Sequence, residues 1–251
     1  MKKESADDGR AKFSQHSFSF LVEKDDGLSS LRKQYALKPA NERRMAADWE
    51  YNSSMASDLF ESALARAGQE GLGSEYWPSG VIALAIDPQY APALLTVGSI
   101  EYQLGRRKEA LDLFMKLTRL SKDEEDLPEI IDKAGCFLLD NNDYESALEL
   151  YLAAEQLDPR QSLYFNSSGY CLGKLGRFEE AVEKCRQAVE LEPANYEYIN
   201  DLGFSLMEAG DFHEAEKMLK RSKSLAPPDC EFPANNLKDL RRRKRKAAGG
   251  G

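Results

Sequence analysis

The chain has 251 residues, with 34 Lys and Arg against 43 Asp and Glu, a formal net charge of −9 and 42% hydrophobic residues. That content supports a continuous core, no run approaches the roughly 18 uncharged apolar residues of a membrane helix, and the polar stretch Met1–Lys12 leads into no apolar segment, so neither a span nor a secretory signal is expected. Cys136, Cys171, Cys185 and Cys230 show no C-x-x-C spacing, which without a signal points to reduced thiols and a cytoplasmic location.

Residues 1–12 read as a disordered tail. In Phe13–Val22 the alternation of Phe18, Phe20 and Val22 is a strand signal or simply an extended segment. Leu28–Leu37 follows Gly27 as a short amphipathic helix stopped by Pro39, and Asn41 is placed to cap a further helix through Trp49 and Tyr51. Residues 13–56 thus form an extended segment and capping helices at one end of a repeat array.

A period of 34 then governs the chain. Gly135, Gly169 and Gly203 lie 34 apart, as do Ala147, Ala181 and Ala215, and Pro159, Pro193 and Pro227. Gly98, Ala110 and Pro88 belong to the same columns, each displaced by a further 3 residues. A fixed period with a small residue, an alanine and a proline in constant phase predicts stacked helical hairpins. In the unit 162–195, Phe165, Gly169 and Leu172 fall at helical spacing on a first helix, and Gly176-Arg177 makes the turn. Phe178, Ala181, Cys185, Ala188 and Leu191 form a second helix that ends before Pro193. Gly169 and Ala181 are small because the two helices cross there.

The same reading applies to 128–161 and 196–229. The unit 91–124 keeps Leu94, Gly98, Gly105, Ala110, Phe114 and Leu117 but lacks its closing proline, and Ser121–Pro128 (SKDEEDLP) supplies a longer, acidic connection. In 57–90 only Ala83, Ile86 and Pro88 keep phase, and Tyr76-Trp77-Pro78 replaces the small residue, so this unit is a degenerate hairpin. Residues 230–251 form a capping helix over Ala234–Lys246, carrying Leu237 and Leu240, that runs into a basic tail and a frayed Gly249–Gly251. Between Lys238 and Lys246 seven bases face one acid, a local +6, leaving −15 on the remainder.

These columns resemble the tetratricopeptide repeat family, closely over 91–229 and loosely over 57–90. Departures are Cys185 where an aromatic or large apolar side chain is usual, Ser222, and Glu101. The resemblance implies an all-α fold: a right-handed α-solenoid of helix-turn-helix hairpins over 57–229, with helical N- and C-terminal caps. It also implies a protein-interaction scaffold whose concave groove, lined by the first helices, binds a partner peptide or helix.

On the family's groove positions the chain places Tyr102, Glu129, Asp132, Asn166, Tyr170, Glu197, Asn200, Phe204, Met207 and Glu208. Tyr170, Phe204 and Met207 would serve as apolar contacts, and Glu129, Asp132, Glu197 and Glu208 would attract basic residues. The bland alternatives are that Asn166 and Asn200 satisfy neighbouring groups and that Tyr170 and Phe204 pack on the adjacent repeat. The family's clamp for the C-terminal carboxylate of heat-shock proteins is not expected. Lys133, Ser167 and Asp201, with Asp132, Asn166 and Asn200, stand at its key positions, and an acidic groove repels a carboxylate. A chaperone-like use rests on the shared repeats alone. The competing reading is a structural or self-assembling protein whose groove is filled by Phe13–Val22 in cis or in trans.

Catalytic chemistry is not expected. The two histidines, His16 and His213, are too far apart in a stack to cooperate, and His213 sits at an exposed first-turn position. The cysteines are not spaced as a zinc cluster, Cys185 occupies a core column, and no phosphate-binding glycine motif occurs, so no metal or cofactor is expected. The hexamer Arg241–Lys246 lacks interleaved aromatics and reads as a solvated run, a contact for an acidic partner, a targeting signal, or a segment folding back on the acidic body. Nucleic acid is not expected beyond a weak contact through 241–246, so the partner is a protein or peptide, with self-association as the alternative.

Overall fold

The computed structural model describes residues 87–249 apart from residue 125, together with Gly80, Ala83 and Leu84. The expected disordered start, extended segment, N-terminal capping helices and most of the degenerate unit lie outside the described residues. The chain divides into two compact units, Met1–Pro88 and Gln89–Gly251, and the second contains all that follows.

Among the described residues nine helices and no strand make up this unit. They are α1 (Ala91–Gln103), α2 (Arg107–Leu117), α3 (Leu127–Asp140), α4 (Tyr144–Leu157), α5 (Ser162–Lys174), α6 (Phe178–Leu191), α7 (Tyr196–Glu208), α8 (Phe212–Leu225) and α9 (Phe232–Gly249). Successive helices pair as hairpins α1/α2, α3/α4, α5/α6 and α7/α8, and α5, α7 and α9 each also pack on the second helix of the hairpin before. The architecture is an all-α solenoid of tetratricopeptide-type hairpins.

Each hairpin turns in the same way. Gly105, Asn142, Gly176 and Gly210 adopt φ of +81, +58, +74 and +88°, a left-handed conformation that glycine enters freely and asparagine tolerates. The amide one residue further on, at Arg106, Asp143, Arg177 and Asp211, donates to a carbonyl five residues back, at 2.9 Å in every case. That bond satisfies a carbonyl the ending helix leaves open. The following second helix is capped by the Asp143 and Asp211 carboxylates, which accept from the amides of Ser146 and Glu214.

The small-residue column marks a close approach. A methyl group at Gly98 would lie 2.6 Å from Phe114, at Gly169 2.6 Å from the Cys185 sulfur, and at Gly203 2.7 Å from Leu219, and one at Gly135 would meet Tyr151. Ala110, Ala147, Ala181 and Ala215 are fully buried opposite. Cys185, the departure from an aromatic, is 1% exposed and fills that contact as a small apolar side chain.

The junction after the first hairpin is different. Nine residues, 118–126, join α2 to α3, whereas four join α4 to α5 and α6 to α7. With the longer connection, α3 packs more on α1 than on α2. Polar and aromatic contacts hold this interface. Arg107 donates to both oxygens of Asp143 at 2.8 and 2.5 Å, and the Tyr102 hydroxyl donates to the same carboxylate at 2.9 Å. The Phe137 ring stands edge-on to Tyr102 and Phe114, with centroids 5.5 and 6.0 Å away. Burial alone would raise the Asp143 carboxyl, but the donors from Arg107, Ser146 and Tyr102 outweigh it and hold it below its ordinary 3.8.

At the other end α9 takes the place of a further first helix. Leu237 and Leu240 are buried in one core with Leu206, Met207, Met218 and Leu219. Arg243 reaches Glu208 at 2.7 Å and Lys244 reaches Glu216 at 2.5 Å. This helix runs over Phe232–Gly249, starting before the expected Ala234 and continuing past the expected Lys246 to Gly249, and the basic run lies within it, with two of its cations turned back onto Glu208 and Glu216.

Replacing Gly203 by Ala should destabilise the array by about 1–2 kcal/mol through overpacking, while Gly173→Ala, with nothing within 4 Å of the added methyl, should stabilise it by up to about 1 kcal/mol through helix propensity. Urea unfolding of the two variants checks the opposite signs. Asp143→Asn should cost about 1–3 kcal/mol at neutral pH. Because folding depresses this carboxyl, its contribution is complete above 3.8 and is lost as pH falls through the lower folded value, so the two unfolding curves should converge there.

Candidate functional site

Each of α5 and α7 presses one side against the second helix of its own hairpin and another against the hairpin before. One face is left over. Cys136, Tyr170 and Phe204 stand on that face at intervals of 34, and all are exposed, the two aromatics at 48% and 43%. Lys238 of α9 is the next residue in the column and is also exposed. Lys174 lies over the Tyr170 ring, its ammonium 5.0 Å from the centroid.

The other expected groove residues are more committed than their chemistry suggests. Tyr102 is half-buried and bound to Asp143, so it belongs to the interface between the first two hairpins. Glu129 is exposed and pairs with Lys133 one turn on, at 2.7 Å, which lowers its carboxyl. Asp132 accepts from the buried Tyr151 hydroxyl at 2.9 Å, the phenol being strongly raised by burial and by that carboxylate. Glu208 is held by Arg243 of α9. Glu197, in the first turn of α7, is exposed and accepts from the neighbouring Tyr196 hydroxyl at 3.0 Å. Met207 is 1% exposed and part of the core with Leu206 and Leu240, which corrects its expected place as an apolar groove contact. The physical reason is that α9 seats on α7 and α8 and covers it.

Asn166 and Asn200 are brought together by a residue singled out only for the clamp comparison. Asp201 accepts from the Asn166 amide at 3.0 Å and from the Asn200 amide at 3.3 Å, and Asn236 of α9 donates to Asn200 at 2.9 Å. These four side chains form a ladder across α5, α7 and α9. Burial raises the Asp201 carboxyl, the two amides pull it back, and Glu197 raises it further, leaving it above its ordinary value. The legible signal was an acid following an asparagine in one unit and an asparagine one repeat earlier.

Among the described residues no group of three His, Cys, Asp or Glu is placed to hold a metal ion. No helix among them is long and apolar enough to cross a membrane. Burial pushes the Cys171 and Cys185 thiols up to about 12, and Cys185 shares a hydrogen bond with Ser205 at 3.6 Å. Both are inert packing groups. Cys136 is exposed beside Asp132.

Two family models, both for the tetratricopeptide repeat, match residues 133–196 and 174–231. No curated protein matches the chain. Among solved structures it resembles YrrB, described as a tetratricopeptide repeat protein with an unusual peptide-binding site, at 18% identity over 84% of this chain and 97% of that one, with a TM-score of 0.54. It also resembles the MamA protein, at 16% identity over 69% and 91% of the two chains, with a TM-score of 0.50. At these identities the likeness is one of fold.

In the native protein, a small thiol reagent should modify Cys136 well before Cys171 and Cys185, which should react only on unfolding. Mass mapping of the labelled peptides tests this, and early modification of either buried thiol would contradict their packing role.

Proposed function

We propose that this chain, whose residues 133–196 and 174–231 match tetratricopeptide repeat models, is a protein-interaction scaffold that holds a peptide or helix of a partner on the exposed face of its first helices. The observation that carries this reading is the pair Tyr170 and Phe204, two large aromatic side chains left open to solvent one repeat apart. An extended or helical segment with two apolar side chains at matching spacing would cover both, and burying an aromatic side chain contributes about 1.5–3 kcal/mol.

Charge has a smaller part than composition suggests. Glu129, Asp132 and Glu208 already have partners within the fold, so Glu197 is the most open of the four expected acids. A solvent-exposed pair to it is worth about 0–1 kcal/mol. Asn166 and Asn200 are engaged with Asp201 and serve to hold α5 and α7 in register beneath the aromatics. A chaperone-like use, in which the held segment belongs to an unassembled client, is one form of this reading. A groove filled by Phe13–Val22 involves residues outside those described.

The Tyr170→Ala, Phe204→Ala double variant should keep the wild-type circular dichroism and unfolding midpoint while losing, in cross-linked pull-downs, the partner that the wild-type chain retains. Recovery of the same partner at equal yield by the double variant would overturn the proposal. Glu197→Lys should leave recovery nearly unchanged at physiological salt.

A further inference from the structure

The column of exposed residues that carries Tyr170 and Phe204 does not end with the repeats. α9 packs on α7 and α8 where the first helix of a further unit would stand. Asn236 of α9 donates to Asn200 of α7 at 2.9 Å, much as Asn166 of α5 donates to Asp201 of α7 at 3.0 Å. The polar ladder thus continues into α9, and Lys238 follows Phe204 at the same interval of 34 residues that separates Phe204 from Tyr170. Lys238 is exposed, and so is Arg241 three residues on, which puts both on one face of the helix. Leu237 and Leu240, buried in the core, anchor that helix beside α7.

Free charge along this column is the reverse of what the acidic composition suggests. Asp239 is taken by Arg242 at 2.5 Å and by Arg243 at 2.9 Å, and Glu208 by Arg243 at 2.7 Å. Among the described residues no carboxylate pairs with Lys238 or Arg241, nor with Lys174, whose ammonium lies over the Tyr170 ring. The exposed acids Glu197 and Glu231 stand seven residues before Phe204 and Lys238, a separation of two turns or about 10 Å along a helix. Beside the aromatics, the unspent charge is cationic.

We propose that the segment held on Tyr170 and Phe204 is a peptide with two apolar side chains followed, toward α9, by acidic ones that pair with Lys238 and Arg241. This rests on the groove reading and names the chemistry of its partner. Packed helices lie about 8–10 Å apart, which an extended segment crosses in about three residues, so apolar side chains at that step, with acids at the next, would meet the column. The carboxylates belong to side chains within the segment, not to its terminus. A single-stranded nucleic acid also offers flat rings and negative charge, but it fits less well. It would carry phosphate along the whole column, past Glu129, Asp132 and Glu197, whereas a peptide can place its charge at the α9 end alone.

Fluorescence anisotropy of the full chain with two labelled peptides, both blocked at their C-termini, tests the proposal. Each peptide carries two leucines three residues apart, followed in one by glutamates and in the other by lysines. The glutamate peptide should bind on the order of tenfold more tightly at physiological salt, since each exposed ion pair is worth up to about fivefold. Lys238→Glu with Arg241→Glu should invert that preference at an unchanged unfolding midpoint, because neither side chain has a carboxylate partner among the described residues. Tyr170→Ala with Phe204→Ala should weaken both peptides alike. If the two peptides bind equally and both are lost with the aromatics, the groove reading stands and this inference falls. Glutamate-peptide binding that survives the aromatic variant also overturns it, by separating the cations from the groove. So does binding of neither peptide, or tighter binding of a single-stranded DNA oligonucleotide through Lys238 and Arg241. The groove reading is judged separately, by the pull-down of its partner.

Discussion

The close approach of two helices at one glycine per hairpin is the constraint on which the array depends. Where Gly203 meets Leu219 or Gly169 meets the Cys185 sulfur, there is no room for a single methyl group. That contact sets the distance between first and second helices, and the left-handed residue at each turn sets where the second helix begins. Repeated every 34 residues, the two together press each first helix between neighbours and leave it one free face. The exposure of Tyr170 and Phe204 is a consequence of packing elsewhere, since nothing in the hairpin geometry reaches them.

Electrostatics in this molecule is mostly internal. The acidic composition suggests a negatively charged groove, but Asp132 holds the buried Tyr151 hydroxyl, Asp143 ties the first two hairpins through Arg107 and Tyr102, and Asp201 gathers two asparagines. Each carboxylate does so because a hydroxyl or amide drawn out of water must find an acceptor. The sign of the shift follows the partner. Asp143, bound by a guanidinium, is depressed, while Asp201, bound only by neutral amides and half-buried, is raised. Among the described residues, exposed cations remain on the outer face of α9.

The hairpins were legible because their determinants are local and repeated. A glycine at the crossing, a glycine or asparagine in the turn and a proline two residues past each of α4, α6 and α8 are read from spacing alone. The capping helix was legible for the same reason, through Leu237 and Leu240. Of the expected groove residues, Tyr170 and Phe204 were read from register alone, and both are exposed. Met207 was misplaced because its burial depends on α9, a helix that belongs to no complete unit. Asp201 passed unnoticed as a partner because its role needs Asn166, 35 residues away, and Asn200 beside it, a pairing that no single-helix pattern contains.

By itself the sequence determined the period, the hairpin and the residue types at each crossing, because backbone conformation and steric fit between residues about 16 apart are local properties. Only the tertiary structure decided which polar side chains remain available. A charge is free or spent according to what the next repeat, or the helix after the last, brings within about 3 Å of it. That is why Glu208 and Asp132, alike in sequence to any groove acid, are engaged within the fold, while Tyr170, Phe204 and the outer cations of α9 remain exposed.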